Sequence, residues 1–248
     1  MSPRPSYPSI IGVMDLDGAR TLVAGASGAL GGRLADALHE RGARVVVGGR
    51  RRDSLDALAD RFGTQPVLFD AVDGDSCRRA VDEAVDQLGG LDLLVVAVGV
   101  AAFGPAAEAD AAVVDELFAV NVLGPMSLVR AAAPALEDSD RGRVAVLSAI
   151  LADLPTNQMG EYSATKAALS AWLGVLRREN RRGFGVLDVR PPHLDTGLET
   201  RALAGSPPPL PESWPAGEVV DAVVAALADD TRVLGWDPKL KQLVSRAA

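Results

Sequence analysis

The chain has 248 residues, 48% of them apolar and 23% charged, which suits one large domain or two small ones with a full hydrophobic core and excludes a disordered or fibrous chain. A net charge of −8 argues against a protein that coats nucleic acid, so an anionic ligand would need a local device. The single cysteine, Cys77, excludes an internal disulfide framework and a multi-cysteine zinc site, and two histidines, His39 and His193, argue against a histidine-built metal centre.

The opening stretch Met1–Gly18 carries Pro3, Pro5, Pro8, Asp15 and Asp17 and lacks the apolar core of a signal peptide. The apolar run from Leu93 to Phe103 falls short of the ~20 residues that span a bilayer. These features lead to the expectation of a soluble, cytoplasmic protein with no membrane partner. Strands are predicted at Arg20–Ala24, Arg44–Val47, Pro66–Phe69, Leu91–Val98, Arg143–Leu147, Gly185–Val189 and Val233–Trp236. Helices are predicted at Ala29–Arg41, Asp53–Phe62, Asp75–Leu88, Ala111–Leu136 (with Pro125 and Pro134 inside), Tyr162–Arg181 and Ala216–Leu227. Strands alternating with helices, and strands that read as unbroken apolar runs, predict an α/β fold. It is a doubly wound parallel sheet of the Rossmann type, covered on both faces, over the whole chain as a single domain. The proline-rich stretch Asp195–Gly217 has little periodicity, and a loop of that length in a compact domain is usually functional.

Between the first strand and the first helix lies Ala24-Gly25-Ala26-Ser27-Gly28-Ala29-Leu30-Gly31-Gly32. Glycines at such a turn let a pyrophosphate approach backbone N–H groups, and the helix N-terminus adds partial positive charge. Because it follows the first strand of an alternating pattern, the turn reads as a dinucleotide site. An acidic residue ending the second strand would select NAD by binding the ribose 2′-hydroxyl. Here that strand runs Val47-Gly48-Gly49-Arg50-Arg51-Arg52. Guanidinium groups suit a 2′-phosphate, so NADP(H) is favoured over NAD(H), with Arg50 as its contact.

Tyr162 and Lys166 sit four residues apart on a predicted helix and so share one face. A free tyrosine titrates near pH 10. A neighbouring ammonium favours the phenolate and brings it toward the working range of a general acid or base.

The glycine turn, Asp70 after the third strand, Asn121 in the long helix, Tyr162-x-x-x-Lys166, and Thr196 after Pro191 come in one order and spacing. With them, residues 18–236 resemble the short-chain dehydrogenase/reductase superfamily, in its shorter single-domain branch. The resemblance implies Tyr162 as general acid in reduction or base in oxidation. Lys166 would hold the nicotinamide ribose and lower the tyrosine's pKa. Asn121 would keep a relay water, and Ser148 would hydrogen-bond the substrate oxygen. It implies cofactor contacts at Gly25, Ser27, Gly28, Leu30, Gly31, Arg50, Asp70, Ala97, Gly99, Lys166, Pro191 and Thr196. It also implies a homodimer or homotetramer built on the 111–136 and 162–181 helices, using faces that include Ala131, Ala132, Leu169, Trp172, Leu173 and Leu176.

The chain departs from the family pattern in four places. Ala24 and Ala29 stand at the threonine and middle-glycine places of the turn, with Gly28 one position early. Val96-Ala97-Val98-Gly99 replaces Asn-Asn-Ala-Gly. Ala149, not Ser148, stands 13 residues before the tyrosine: either the following loop absorbs one residue or the serine function is missing. Pro192 replaces a glycine. His193 beside it reads as a packed or surface residue, with substrate contact as the alternative. The expected activity is NADP(H)-dependent interconversion of a carbonyl and an alcohol on a fairly apolar small molecule. A pocket walled by Phe103, Leu151, Leu154, Met159, Leu198, Leu203 and Trp214 would hold it. A redox-neutral isomerase or dehydratase, or an NADP(H)-binding module without turnover, are the alternatives.

Overall fold

In the computed structural model, which describes residues 14–180 and 183–246, consecutive residues of each central strand point into two different cores. Val23, Val45 and Val95 face one side, with Leu34 and Leu38 of the first helix and Val223 and Leu227 of the last. Leu22, Val46 and Leu94 face the other, with Val81, Leu128 and Leu169. Burial on both faces is why these strands carry no polar alternation.

The strands are β1 (Arg20–Ala24), β2 (Arg44–Gly49), β3 (Val67–Leu68), β4 (Leu93–Val96), β5 (Arg143–Leu147), β6 (Gly185–Arg190), β7 (Val233–Asp237) and β8 (Gln242–Arg246). The helices are α1 (Ala29–His39), α2 (Asp56–Phe62), α3 (Gly74–Leu88), α4 (Ala111–Phe118), α5 (Gly124–Glu137), α6 (Gly160–Glu179) and α7 (Ala216–Ala228). They form one sheet in the order β3-β2-β1-β4-β5-β6-β7-β8. The first seven strands are parallel, and β8 returns antiparallel on β7. The doubly wound Rossmann-type reading therefore holds.

Several boundaries move for local reasons. β2 runs two residues past Val47 because Gly48 and Gly49 pair with Val67 and Leu68. A 3₁₀ turn at Arg52–Ser54 precedes α2. The Ala111–Leu136 zone is not one helix: a π segment, Ala119–Leu123, separates α4 from α5. Pro125 lacks the N–H that an α-helix would give to the carbonyl of Asn121, and the wider turn carries the chain past it. By length and composition Ala111–Glu137 is apolar enough to cross a membrane, yet here Leu117, Leu128, Val129, Ala132 and Leu136 are buried within the fold. The sequence ends α6 at Arg181, which lies outside the described residues, as does most of Met1–Gly18.

β8 was not anticipated. Its signal is the turn before it, where the Asp237 carboxylate accepts from the N–H groups of Lys239 (2.8 Å) and Leu240 (3.1 Å), an Asx turn that closes a hairpin. The faces proposed for assembly are also revised. Ala132, Leu169 and Leu173 are core residues, while Ala131, Trp172 and Leu176 remain partly open.

A buried carboxylate ties the base of the sheet together. Asp92, 2% exposed, accepts from Arg20 Nη2 at 2.6 Å and Ser139 Oγ at 2.7 Å, and Arg141 approaches it at 3.3 Å. Burial alone would raise its pKa, but the Arg20 guanidinium and the Ser139 hydroxyl outweigh that and hold it well below the usual carboxylate range. A lowered folded-state pKa gives stability that is complete above the unfolded value, near 4, and lost as pH falls through the folded one. Asp92→Ala should therefore cost about 3 kcal/mol at neutral pH, with the deficit shrinking toward acid pH. Urea unfolding across pH measures both, and equal midpoints for variant and wild type at neutral pH would contradict the role given to Asp92.

Candidate active site

Strand order reverses between β1 and β4, and in an open α/β sheet a ligand crevice forms beyond the carboxyl ends of the strands at such a point. A cleft of about 1070 Å³ lies there. Gly25, with φ +91°, begins the turn out of β1, and its N–H and that of Ala26 both donate to the Gly48 carbonyl (2.8 and 3.2 Å). A Cβ on Gly25 would meet the Ala97 carbonyl at 2.7 Å, and one on Gly31 would run into the carbonyl of Gly25. The turn is thus closed to side chains where backbone meets backbone. Gly28 sits at φ −81° and needs no positive-φ freedom, but a Cβ there would stand 3.3 Å from the Gly25 carbonyl. Ala29 simply opens α1.

The start of α1 has no side-chain cap and no acidic residue in its first turn. By contrast Asp73 caps α3 and Asp110 caps α4. Uncapped N–H groups at the cleft suit an anion. Gly25, Ser27, Gly28, Leu30, Gly31, Arg50, Asp70, Ala97, Gly99, Pro191 and Thr196 all line this cleft, together with Ser148, Tyr162 and Lys166. Of the three arginines after β2, Arg51 is engaged by Asp53 (3.5 Å) and Ser54 (2.6 Å), and Arg52 by Asp56 (3.8 Å). Arg50 is exposed and has no carboxylate partner among the described residues. The closed glycine turn, the uncapped helix and the free guanidinium together fit a nicotinamide dinucleotide.

Tyr162 and Lys166 lie one turn apart on α6, 7% and 3% exposed. Lys166 Nζ donates to the Leu147 carbonyl at 3.3 Å and stands 5.6 Å from the centre of the tyrosine ring. Burial pushes the Tyr162 phenol up to about 12. Burial also brings Lys166 down to about 8, partly opposed by the Asp188 carboxylate. This corrects the expected lowering of the tyrosine. Desolvation dominates for both groups, so the phenol keeps its proton at neutral pH and is poised as a donor.

One other expectation is corrected. The Ser148 hydroxyl turns toward β6, donating to Asp188 Oδ1 at 2.5 Å. Asp188 is held in turn by Arg190 at 2.8 Å. Its one proton is spent, and Ala149 at the expected register has none to give, so the serine function is missing rather than displaced. Asn121 is fully buried. Its Oδ1 accepts from the Val100 N–H (2.9 Å), and its Nδ2 donates to the Val100 carbonyl (2.9 Å) and Thr165 Oγ1 (3.2 Å). Its side-chain amide braces the segment after β4, so a relay water would fall to its main-chain carbonyl, which Pro125 has no N–H to meet. The site of a Cβ on Gly99 would be 3.4 Å from both Asn121 Oδ1 and Lys166 Nζ.

The proline-rich segment closes the substrate end. Leu203 N–H donates to the Ala101 carbonyl (2.8 Å), Phe103 N–H to that of Ala204 (2.9 Å) and Trp214 N–H to that of His193 (2.8 Å). Phe103, Leu151, Leu154, Met159, Leu198 and Trp214 wall the cleft, while Leu203 packs behind them. Trp236, Pro238 and Lys241 also reach it. Sequence reading missed these three because they come from the β7–β8 hairpin.

Residues 19–205 match the model of the short chain dehydrogenase family, and the chain belongs to that family. It is 34% identical over 202 residues to 11-beta-hydroxysteroid dehydrogenase A of Sesamum indicum, covering 77% of this chain and 58% of that one. A short chain dehydrogenase from Burkholderia cenocepacia J2315, solved in complex with NADP, superposes with a TM-score of 0.76 at 32% identity and 90% coverage of both chains. One from Burkholderia phymatum, in complex with NAD, shares the fold at TM-score 0.78 and 22% identity, with 89% of each chain covered. The chain spans little more than half the length of the sesame enzyme.

The glycine turn makes the first test of the cofactor end. Gly31→Ala should weaken dinucleotide binding by at least about tenfold, since the added methyl must displace the Gly25 carbonyl. Fluorescence titration reads the dissociation constant, and unchanged binding would place the cofactor elsewhere.

Proposed function

We propose that this chain is an NADP(H)-dependent oxidoreductase that interconverts a carbonyl and an alcohol on a fairly apolar small molecule. The observation that carries the reading is a buried Tyr162 beside Lys166, lining an apolar cleft that continues into the glycine turn. Preference for NADP(H) is supported by Arg50, which follows β2 and has no carboxylate partner among the described residues while its neighbours are engaged. When bound, the nicotinamide supplies or accepts the hydride.

The chain's own residues would then act as follows. The α1 N-terminus and Arg50 hold the phosphates, Asp70 the adenine end, and Thr196 with the Pro191 backbone the carboxamide. Lys166 holds ribose hydroxyls, and its charge stabilises negative charge developing nearby. Tyr162 gives its proton to the substrate oxygen in reduction and takes it back in oxidation. The lid excludes water, which strengthens each of these interactions. The missing serine hydroxyl is the one observation favouring the redox-neutral or non-turnover readings, and net NADPH consumption separates them from the reductase. Assembly as a homodimer or homotetramer through α4–α5 and α6 is part of the same proposal, supported by exposed Leu123 and Val175. A cytoplasmic location is part of the proposal as well.

NADPH oxidation against a panel of ketones and quinones tests the reading. Tyr162→Phe should lower kcat by about 100-fold or more with NADPH affinity unchanged, and full activity in that variant would end the proposal. Arg50→Ser should raise the Kd for NADPH by about 10- to 100-fold and leave that for NADH nearly unmoved. Equal effects on both would remove the 2′-phosphate contact. The pH profile has a defined sign. Lys166 is charged below about 8 and loses its charge as pH rises through that value, whereas Tyr162 keeps its proton to about 12. Reduction should therefore decline above about pH 8, and a kcat/KM that stays flat through that range would dissociate the lysine charge from the chemistry.

A further inference from the structure

Lys166 is buried, and a buried ammonium needs a counter-charge if it is to stay charged. The fold brings a carboxylate to it. Leu187 and Val189 of β6 turn toward the core shared with α1 and α7. Val186 turns toward the other core, where Leu169 and Leu173 of α6 lie. Alternation along the strand puts Asp188 on the α6 face, and it is fully buried there. Its register partner on β5 is Val146. The two residues that follow Val146 both reach the polar centre. The Leu147 carbonyl accepts from Lys166 Nζ at 3.3 Å, and Ser148 Oγ donates to Asp188 Oδ1 at 2.5 Å. Ammonium and carboxylate are thus held by consecutive residues at one strand end.

The carboxylate is fixed, and it is also shared. Arg190 grips Asp188 Oδ2 through Nε and Nη2, both at 2.8 Å. Its Nη1 goes to Asp153 at 2.5 Å, and Asp153 takes Arg246 at 3.0 Å. Charges therefore alternate outward from Lys166 through Asp188, Arg190 and Asp153 to Arg246. Arg177 of α6 faces the same strand, but it is spent on the Val186 and Arg232 carbonyls (3.1 and 2.8 Å), and Arg232 pairs with Asp230 at 3.7 Å. Tyr162, one turn back on α6, keeps its proton and is neutral. Asp188 is the carboxylate whose charge acts on Lys166 against its burial.

We infer that Asp188 is a positioning residue for the reaction: its carboxylate is the counter-charge that keeps the Lys166 ammonium charged in the cleft, and Arg190 sets how much of that charge the lysine receives. Neither residue lines the cleft, so both act through the lysine. The catalytic consequence rests on the reductase reading above, whereas the counter-charge itself does not.

The test reads the lysine directly. The chain has three lysines, Lys166, Lys239 and Lys241, so ligand-free protein labelled with carbon-13 at the lysine ε-carbon gives three signals, assigned with Lys239→Arg and Lys241→Arg. Asp188→Asn should lower the pH midpoint of the Lys166 signal by about one unit. Arg190→Gln removes the competing cation and should raise it. The other two lysines should not move. A merely structural role for the network predicts no shift, or shifts of one sign. An unmoved midpoint in Asp188→Asn, or shifts of the same sign in the two variants, overturns the inference. Should Asp188→Asn not fold, Arg190→Gln decides alone: a raised midpoint sustains the inference, and a lowered or unmoved one overturns it. NADPH oxidation gives the second readout. The alkaline limb of kcat/KM should follow the lysine, so Asp188→Asn loses about fivefold at about pH 8 and little at about pH 6. A loss equal at all pH values overturns the positioning role. If no carbonyl compound oxidises NADPH, the reductase reading fails, and the lysine titration still decides the counter-charge.

Discussion

Everything at the functional end of this molecule depends on backbone packing directly against backbone where β1 and β4 part. Gly25 leaves β1 at a positive φ and lies so near the Ala97 carbonyl that a side chain on it would displace the end of β4. Gly31 lies in the same relation to Gly25. This brings the start of α1 to the crevice, uncapped, in an acidic protein that otherwise repels anions. It also fixes the position of residues 97–103, from which the rest of the cleft follows. Asn121 grips both backbone groups of Val100, and the lid fastens to Ala101 and Phe103.

Desolvation sets the electrostatics of the site more than pairing does. Tyr162 and Lys166 are buried together, and each is driven toward its neutral form. The nearest buried acid, Asp188, is divided between the Ser148 hydroxyl and Arg190. That arrangement commits the hydroxyl proton of Ser148 to Asp188, although Ser148 lines the cleft, and leaves the tyrosine phenol as the proton donor there. It also explains how a chain can keep the tyrosine–lysine pair and yet lack the hydroxyl that normally accompanies it.

The substrate end is assembled from pieces remote in sequence: the segment after β4, the turn after β5, the loop after β6, the lid and the β7–β8 hairpin. Few of them have regular structure, and they hold together through single backbone hydrogen bonds and an apolar cluster around Phe103, Met159 and Tyr162. Apolar packing of this kind tolerates variation in shape, which is why specificity resides here and not at the glycine turn.

The sequence by itself determined the layered α/β fold, the strand-to-helix alternation, the dinucleotide turn and the pairing of Tyr162 with Lys166. These are periodic or short-range features, written in residues within a turn or a strand of one another. It also located Arg50, because strand ends are marked by glycine. Only the tertiary structure decided which way Ser148 and Asn121 point, since their partners Asp188, Val100 and Thr165 lie 40, 21 and 44 residues away. The same holds for the direction of the Tyr162 shift, because burial is a property of the packed core and not of the i,i+4 spacing. It holds for β8 and Lys241, which reach the cleft only because the chain folds back on β7. A hydrogen bond's competitor is invisible until the chain brings it near, and for that reason the commitment of Ser148 to Asp188 could be recognised only in three dimensions.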